Sequence, residues 1–441
     1  MEIAKSQPKP AVDEKVIVTP KRRTSVVVIL FIFMLLHQTD KYLIGPLTTP
    51  IMQEFGINEA QMGLVFTGAL LVGGIFYPIW GYLFDRYARP KILALAALVW
   101  GSTTWLSAIA PGFGAFVATR ASTGIDDASY PGVYSLVSDY YEPTRRGRVI
   151  SVLQLTGVIG GITGMGLATT FRDSLGWRGV FYITGGLGIL IAFVMYFGLR
   201  EVPRGQSEPE MQNLDQVVTR KFSWATVKEL IKRPTLVLLF VQQFFHVFPF
   251  TMINSWYFRY LETERNLTAE NVFLAVGVFA LMTALSGLIG GALGDYLFKK
   301  TPRGRLIVAL VGIVGLMIFF PLVLNSPPEN FTLFLLMQVF AGLFWSFEWP
   351  NAVSTVQDIT EPEVRSTAHS IIGVAETVGS ALAPLLAGVL AMGSSLKNAM
   401  QIITLSAWSV GLVTLGLVLV VIPKDVHRLR KIMAKRAEEA A

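Results

Sequence analysis

The sequence predicts an all-α membrane protein: twelve transmembrane helices in two pseudo-symmetric six-helix bundles. Three observations predict it. Apolar runs of about 20 residues recur along the 441-residue chain, each able to cross a hydrocarbon core of roughly 30 Å. Charged residues make up only 15%, against about 25% in soluble globular chains. The segment PGVYSLVSDYYEPTRRGR from Pro131 also returns as PNAVSTVQDITEPEVRST from Pro350. Pro131/Pro350, Ser135/Ser354, Asp139/Asp358, Glu142/Glu361, Pro143/Pro362 and Arg146/Arg365 share an offset of 219, close to half the chain, and Gly160/Gly379 keeps it. Two halves related by duplication explain this.

In chain order, residues 1–24 are polar and basic and are expected to be a disordered cytoplasmic N-terminus. No small-residue cleavage site follows the first apolar run, so it reads as a retained span rather than a removed signal. The N-terminal bundle covers 25–199, with spans near 25–46, 59–84, 90–110, 113–139, 146–170 and 178–199. A cytoplasmic linker follows at 200–234, in which SWATVKELIKRP suits a helix lying on the membrane surface. The C-terminal bundle covers 235–422, with spans near 235–260, 268–298, 305–324, 331–357, 366–391 and 398–422. Residues 423–441 form a basic cytoplasmic tail.

The net charge of +7 has a topological meaning. With the N-terminus inside, cytoplasmic segments hold 30 of the 37 Lys and Arg. External loops hold five (Arg172, Arg178, Arg259, Arg265 and Lys397), and Lys41 and Arg120 fall within spans. This is a positive-inside bias, so nucleic acid is not an expected partner. The expected location is the cell (inner or plasma) membrane, with both termini cytoplasmic.

Several function classes are excluded. With no cysteine, the chain has no disulfide, thiolate metal site or thiol nucleophile. It lacks a P-loop, a complete dinucleotide fingerprint and a His-Glu-x-x-His zinc motif. No nucleophile–base–orienter set can be assembled. Neither enzyme chemistry nor a cofactor or metal is expected. Parallel repeats with a site near the membrane midplane instead suit a secondary transporter.

The chemistry-bearing residues are charges inside spans, which cost roughly 2.5–3.5 kcal/mol each on insertion scales and mark pathways. Span one holds His37, Asp40 and Lys41. Asp40 lies about 15 residues, roughly 22 Å, into its span, about 8 Å from the outer face, and Arg120 of span four lies at roughly 10 Å. The two are therefore expected to pair. Span four also carries Gly124, Asp126, Asp127, Tyr130 and Pro131. Pro131 cannot donate to the Asp127 carbonyl, so the helix should bend there.

In the second half, Glu348 and Glu376 are intramembrane acids with no cation in their own spans. They suit proton carriage or coordination of a substrate amine. Span seven interleaves Gln242, Gln243, His246, Asn254, Trp256 and Tyr257, which suits a cavity wall. Span five has Gly157, Gly160, Gly161, Gly164 and Gly166, read as close helix packing.

The loop GYLFDRYARPK, from Gly81 to Lys91, resembles the major facilitator signature Gly-x-x-x-Asp-Arg-x-Gly-Arg/Lys-Arg/Lys, with Ala88 where glycine is usual. GALGD, ending at Asp295, echoes it in the second half. Gly81, Asp85, Arg86, Arg89, Lys91 and Asp295, with Arg146 and Arg365 of the repeat, are the expected gating set. Asp85 would accept from a neighbouring helix N-terminus, while Arg86 and Arg89 would face anionic headgroups.

The chain resembles the spinster-like members of the major facilitator superfamily. Asp40-Lys41 stands for an Asp-Arg pair in span one, and Gly124-Ile125-Asp126-Asp127-Ala128-Ser129-Tyr130 for Gly-x-Gly-Glu-Ala-Ser-Tyr in span four. The anion:cation symporter family is similar in the same places, and its span-seven Trp-Phe-Pro-x-Tyr-Leu is echoed by Trp256 to Leu261. The resemblance implies the major facilitator fold and a proton-coupling or substrate role for Asp40, Lys41, Arg120 and Asp127. Lys41 lacks the bidentate fork of Arg, and Asp127 is one methylene shorter than Glu, with Asp126 beside it.

The expected function is secondary active transport by alternating access, coupled to protons. The substrate would be an organic anion or an amphipathic lysolipid-like molecule, and the other partners protons and membrane lipids. The chain is expected to be a monomer. The alternatives are an uncoupled facilitated exchanger and a non-transporting membrane sensor. Coupling is expected in the first half and substrate discrimination in the second.

Overall fold

Capping side chains and prolines set where most of the helices begin. The computed structural model describes residues 19–127, 129–203, 230, 232–360 and 365–440. Thr19 accepts from the Arg22 N–H, Pro20 opens α1 (Pro20–Phe55), and Gly56 closes it at φ 62°. Helix α2 (Glu59–Arg86) carries an acid in its first turn and a base in its last, matching the helix dipole. There follow α3 (Arg89–Ala108), α4 (Phe113–Asp127), α5 (Tyr130–Tyr140) and α6 (Pro143–Gly198). Within α6, Gly176 at φ 67°, ψ 166° separates two helices, a conformation reserved for glycine.

The second series begins with α7 (Pro234–Thr263), with Pro in its first turn. Thr268 caps α8 (Ala269–Phe298) by accepting from Asn271, and α9 (Gly304–Asn325) follows. Asn330 accepts from the Leu333 N–H at 3.0 Å to start α10 (Phe331–Trp345). Then come α11 (Trp349–Ile359), α12 (Arg365–Met392) and α13 (Leu396–Ala440).

Ten helical segments among the described residues are long and apolar enough to cross a membrane. One of them, Arg148–Gly198, holds two spans about Gly176, and the interrupted pair α4–α5 supplies another. That gives the expected twelve, and no strand occurs among the described residues.

Three boundaries differ from expectation. The helix of α1 already includes Pro20 to Thr24, part of the expected disordered segment, because Thr19 caps it there. Spans four and ten are each interrupted rather than merely bent: Asp127 ends α4 before Tyr130 begins α5, and Trp345 ends α10 before Trp349 begins α11. Pro131 and Pro350, the repeat prolines, occupy the first turns of α5 and α11, the place where a missing N–H costs least. The tail continues as helix in α13 with Pro423 inside it. Most of SWATVKELIKRP lies outside the described residues.

The chain forms two compact units, Met1–Ile57 with Leu64–Lys221, and Asn58–Gly63 with Phe222–Ala441. The first has a core of Leu30, Phe33, Leu93, Trp100, Leu136 and Tyr140. Small residues let its helices approach closely. A Cβ on Gly124 would collide with the Ala69 carbonyl of α2, and one on Gly164 with the Thr39 backbone of α1. A Cβ on Gly160 would also crowd Gln38 and Leu35, but Gly157 faces open space, so the span-five glycines do not all serve packing. In the second unit Phe320, Trp345 and Trp408 pack edge-on or tilted. Large apolar side chains such as Phe197, Leu288 and Val420 are exposed, as a lipid-facing surface requires.

Candidate functional site

The intramembrane charges of the first unit sort into two clusters. Helix geometry does the sorting, because residues three and four apart share a face while adjacent ones do not. Asp40 and its neighbour Lys41 therefore face different ways, and His37, within one turn of both, meets the acids that Lys41 approaches.

The Asp40 cluster is buried and hydrogen-bonded. Its carboxylate accepts from Trp100 Nε1 at 3.1 Å and Thr104 Oγ1 at 3.2 Å, both on α3, and from Thr184 Oγ1 on α6 at 2.8 Å. Arg120 Nη1 of α4 stands 3.7 Å from Asp40 Oδ2, the pairing expected from depth. The Arg120 guanidinium also lies over the Phe181 ring, 5.1 Å from its centroid. Yet Nη1 is buried with no hydrogen-bond partner, leaving a cation with donor capacity to spare.

The second cluster is a chain of titratable groups across the helix interruption. Tyr130 Oη meets His37 Nδ1 at 2.7 Å. His37 Nε2 stands 3.2 Å from Asp126 Oδ2 and 3.5 Å from Asp127 Oδ1, and Lys41 Nζ donates to Asp127 Oδ1 at 3.2 Å. Asp126 is fully buried, and neither of its oxygens has a hydrogen bond of good geometry. The Lys41 side chain, by contrast, is 47% exposed. The groups thus grade from solvent-accessible to dry along one path. His37 lies within 3.5 Å of both acids and so links them.

In the second unit, Glu348 sits in the α10–α11 interruption and is buried. It accepts from Gln242 Nε2, and its Oε2 lies 3.1 Å from His246 Nδ1. Glu376 Oε1 accepts from Trp349 Nε1 at 3.0 Å and Gln243 Nε2 at 3.3 Å. Glu348 thus has a titratable partner that reading spans one at a time could not assign. Asn254 is exposed. Trp256 and Tyr257 are buried. Trp256 Nε1 donates to the Pro384 carbonyl at 3.0 Å, and Tyr257 Oη to Gln338 Oε1 at 2.8 Å.

The gating set needs one correction. Arg89 does not face headgroups: it is 1% exposed and held by acids. It donates to Asp139, to Glu201 (Nε to Oε1, 2.9 Å) and to Ser135 Oγ at 3.0 Å. Glu201 also accepts the Arg89 backbone N–H at 2.5 Å, so an acid sits on the α3 N-terminus, the role expected of Asp85. In the second unit Arg305 donates to Asp358 at 2.5 Å and to Asp295 at 2.8 Å.

Asp139 and Asp358 share the repeat offset, so the same lock is built twice. Sequence reading found the two aspartates as repeat markers but missed that Arg305 binds Asp358 and that Glu201 joins Asp139 on Arg89. Arg86 is exposed and donates to Tyr82 Oη at 2.9 Å, Lys91 is exposed, and Gly81 has open space before it. Arg146 donates to the Ser138 carbonyl at 2.8 Å. The side chains of Asp85 and Arg365 lie outside the described residues.

Comparison with known proteins agrees with this architecture. The Major Facilitator Superfamily profile matches residues 30–329 and 239–438. The chain is 26% identical over 388 residues to protein spinster homolog 1 of Xenopus laevis, covering 84% of this chain and 73% of that protein. It is 25% identical over 391 residues to the Homo sapiens homolog, covering 84% and 74%. Among solved structures it is similar to a bacterial homolog of the human lysosomal transporter Spinster, in an inward-facing and unoccupied conformation. The TM-score is 0.75 at 20% identity, covering 94% of this chain and 98% of that one. Twelve spans in two repeated halves, matched along nearly the whole length, place this chain in the Major Facilitator Superfamily of membrane transporters, where it resembles the spinster proteins.

Proposed function

We propose that this transporter works by alternating access, is driven by a proton gradient, and carries an organic anion or an amphipathic lysolipid-like substrate. The observation that carries the coupling is the graded path Lys41–Asp127–His37–Asp126, which joins an exposed ammonium to a fully buried carboxyl. Asp126 is fully buried and stands 3.2 Å from His37 Nε2, so a proton gained or lost at this carboxyl alters its contact with His37, which links protonation to local structure. Arg120, with an unfilled donor beside Asp40, supports an anionic substrate group that competes with Asp40 for the guanidinium.

The Arg89–Asp139 and Arg305–Asp358 locks support gating at the ends of the third and ninth spans. The Lys and Arg distribution supports cytoplasmic termini in a cell membrane, and the chain acts as a monomer. Uptake into proteoliposomes tests the reading, with lysophospholipids and dicarboxylates as probes under an imposed pH gradient. Accumulation should follow the gradient and be lost in Asp126→Asn and Asp40→Asn. Uptake indifferent to the gradient and to both substitutions would overturn proton coupling and leave an uncoupled exchanger.

A further inference from the structure

We propose that the second unit holds a binding site for a primary ammonium group, built from Gln242, Gln243, Glu348 and Glu376. The inference deepens the substrate class named above and rests on that reading.

The observation behind it is an excess of hydrogen-bond acceptors in a dry place. Gln242 and Gln243 are 0% and 1% exposed. Each spends its amide N–H on a carboxylate, Gln242 on Glu348 and Gln243 on Glu376. Each is left with a buried Oε1 that no donor reaches. A buried carbonyl without a donor costs about 1–3 kcal/mol, and two on adjacent residues are not needed to hold the fold. Both donors to Glu376 fall on Oε1, so among the described residues Oε2 is a third open acceptor.

These acceptors belong to one locality. Gln242 and Gln243 lie four and three residues before His246, so each is within one helical turn of it on α7, and Gln242 and His246 meet on the same carboxylate, Glu348. His246 binds Glu348 and lies within electrostatic reach of Glu376 as well. Trp349, next to Glu348 in the chain, donates to Glu376. Glu348 is buried while Glu376 is only partly so, which leaves the cluster one open edge.

The chemistry selects the ligand. Two carboxyl groups share one imidazole neighbour, so the cluster has one more acidic group than basic ones. A primary ammonium supplies a single positive charge and three N–H donors, matching three open acceptors. A lone proton supplies one donor and would leave two acceptors unmet. A quaternary ammonium supplies none. Among the described residues no group of three or more His, Cys, Asp or Glu is placed to hold a metal ion.

The test is equilibrium binding to the purified full-length chain in nanodiscs. The probes are lysophosphatidylethanolamine and lysophosphatidylcholine of the same acyl chain, which differ in their ammonium N–H groups, with n-butylamine as a free-amine competitor. The wild type should bind the ethanolamine lipid at least about tenfold tighter, the usual loss when hydrogen bonds to a charged group are removed. Glu376→Gln and, separately, Gln243→Met should bring that ratio close to one.

Competition by butylamine assigns recognition to the amine itself, and its absence beside a retained lipid preference assigns it to the amine within a lipid headgroup. Equal binding of the two lipids by the wild type would overturn the site, as would an unchanged ratio in both variants. Stabilisation by sodium or by low pH alone, with no preference for the primary amine, would equally overturn it. The wild-type ratio stands even where a variant fails to fold. Preference for the ethanolamine lipid without gradient-driven uptake would keep the site and overturn the transport reading. Uptake without that preference would do the reverse.

Discussion

Arg89 shows how a single side chain is committed by its surroundings. Its guanidinium is buried, and a cation of that kind persists only where acids and carbonyls use its N–H groups. Asp139, Glu201, Ser135 and the Val202 carbonyl all do so. Arg89→Ala should therefore destabilise the protein by about 3–5 kcal/mol, the usual result of leaving buried partners uncompensated. Asp139→Asn should cost less, about 1–3 kcal/mol, because Glu201 remains. Chemical unfolding in detergent measures both, and a change under about 0.5 kcal/mol for Arg89→Ala would show that water replaces the acids freely.

At the scale of the element, glycines decide where helices turn and how near they come. Gly176 separates two spans in a conformation that L-residues avoid, so Gly176→Ala should cost about 1–3 kcal/mol. Gly124→Ala places a methyl against the Ala69 carbonyl and should cost a similar amount, about 1–3 kcal/mol, through overpacking. Gly157→Ala is the control. Its Cβ meets nothing within 4 Å, and replacing a helical glycine should leave stability unchanged or raise it by about 0.5–1 kcal/mol. Thermal unfolding of the three variants side by side would separate these mechanisms, and equal losses in all three would refute the packing account.

For the whole molecule, the absence of cysteine offers a clean background for mapping sidedness. Asp173, at 87% side-chain exposure before Gly176, should become labelled from outside when replaced by Cys. Lys300→Cys, between α8 and α9, should be labelled from inside only, and the reverse pattern would invert the proposed orientation. The spans were legible in the sequence because apolar length and Lys/Arg placement act locally. The depth estimate for Asp40 and Arg120 also led to their pairing, since 1.5 Å per residue is a fixed measure. Partnerships such as His246 with Glu348, or Arg89 with Glu201, were not legible. They join residues more than 100 positions apart, and nothing in the local pattern signals them. Arg89 was misread for the same reason: a basic residue at a helix end looks topogenic until the acid that buries it is located.

The paired interruptions of spans four and ten carry a historical consequence. Tyr130 and Trp349, where the helix resumes after each break, share the repeat offset of 219 and each is followed by a proline, so duplication of a half that already carried the break explains both. The residues around it differ: Asp126 and Asp127 end the helix before one gap, whereas Ser346 and Glu348 lie within the other. The open backbone is therefore older than the charges it now displays. The two halves thus share the place of the break and differ in the chemistry around it.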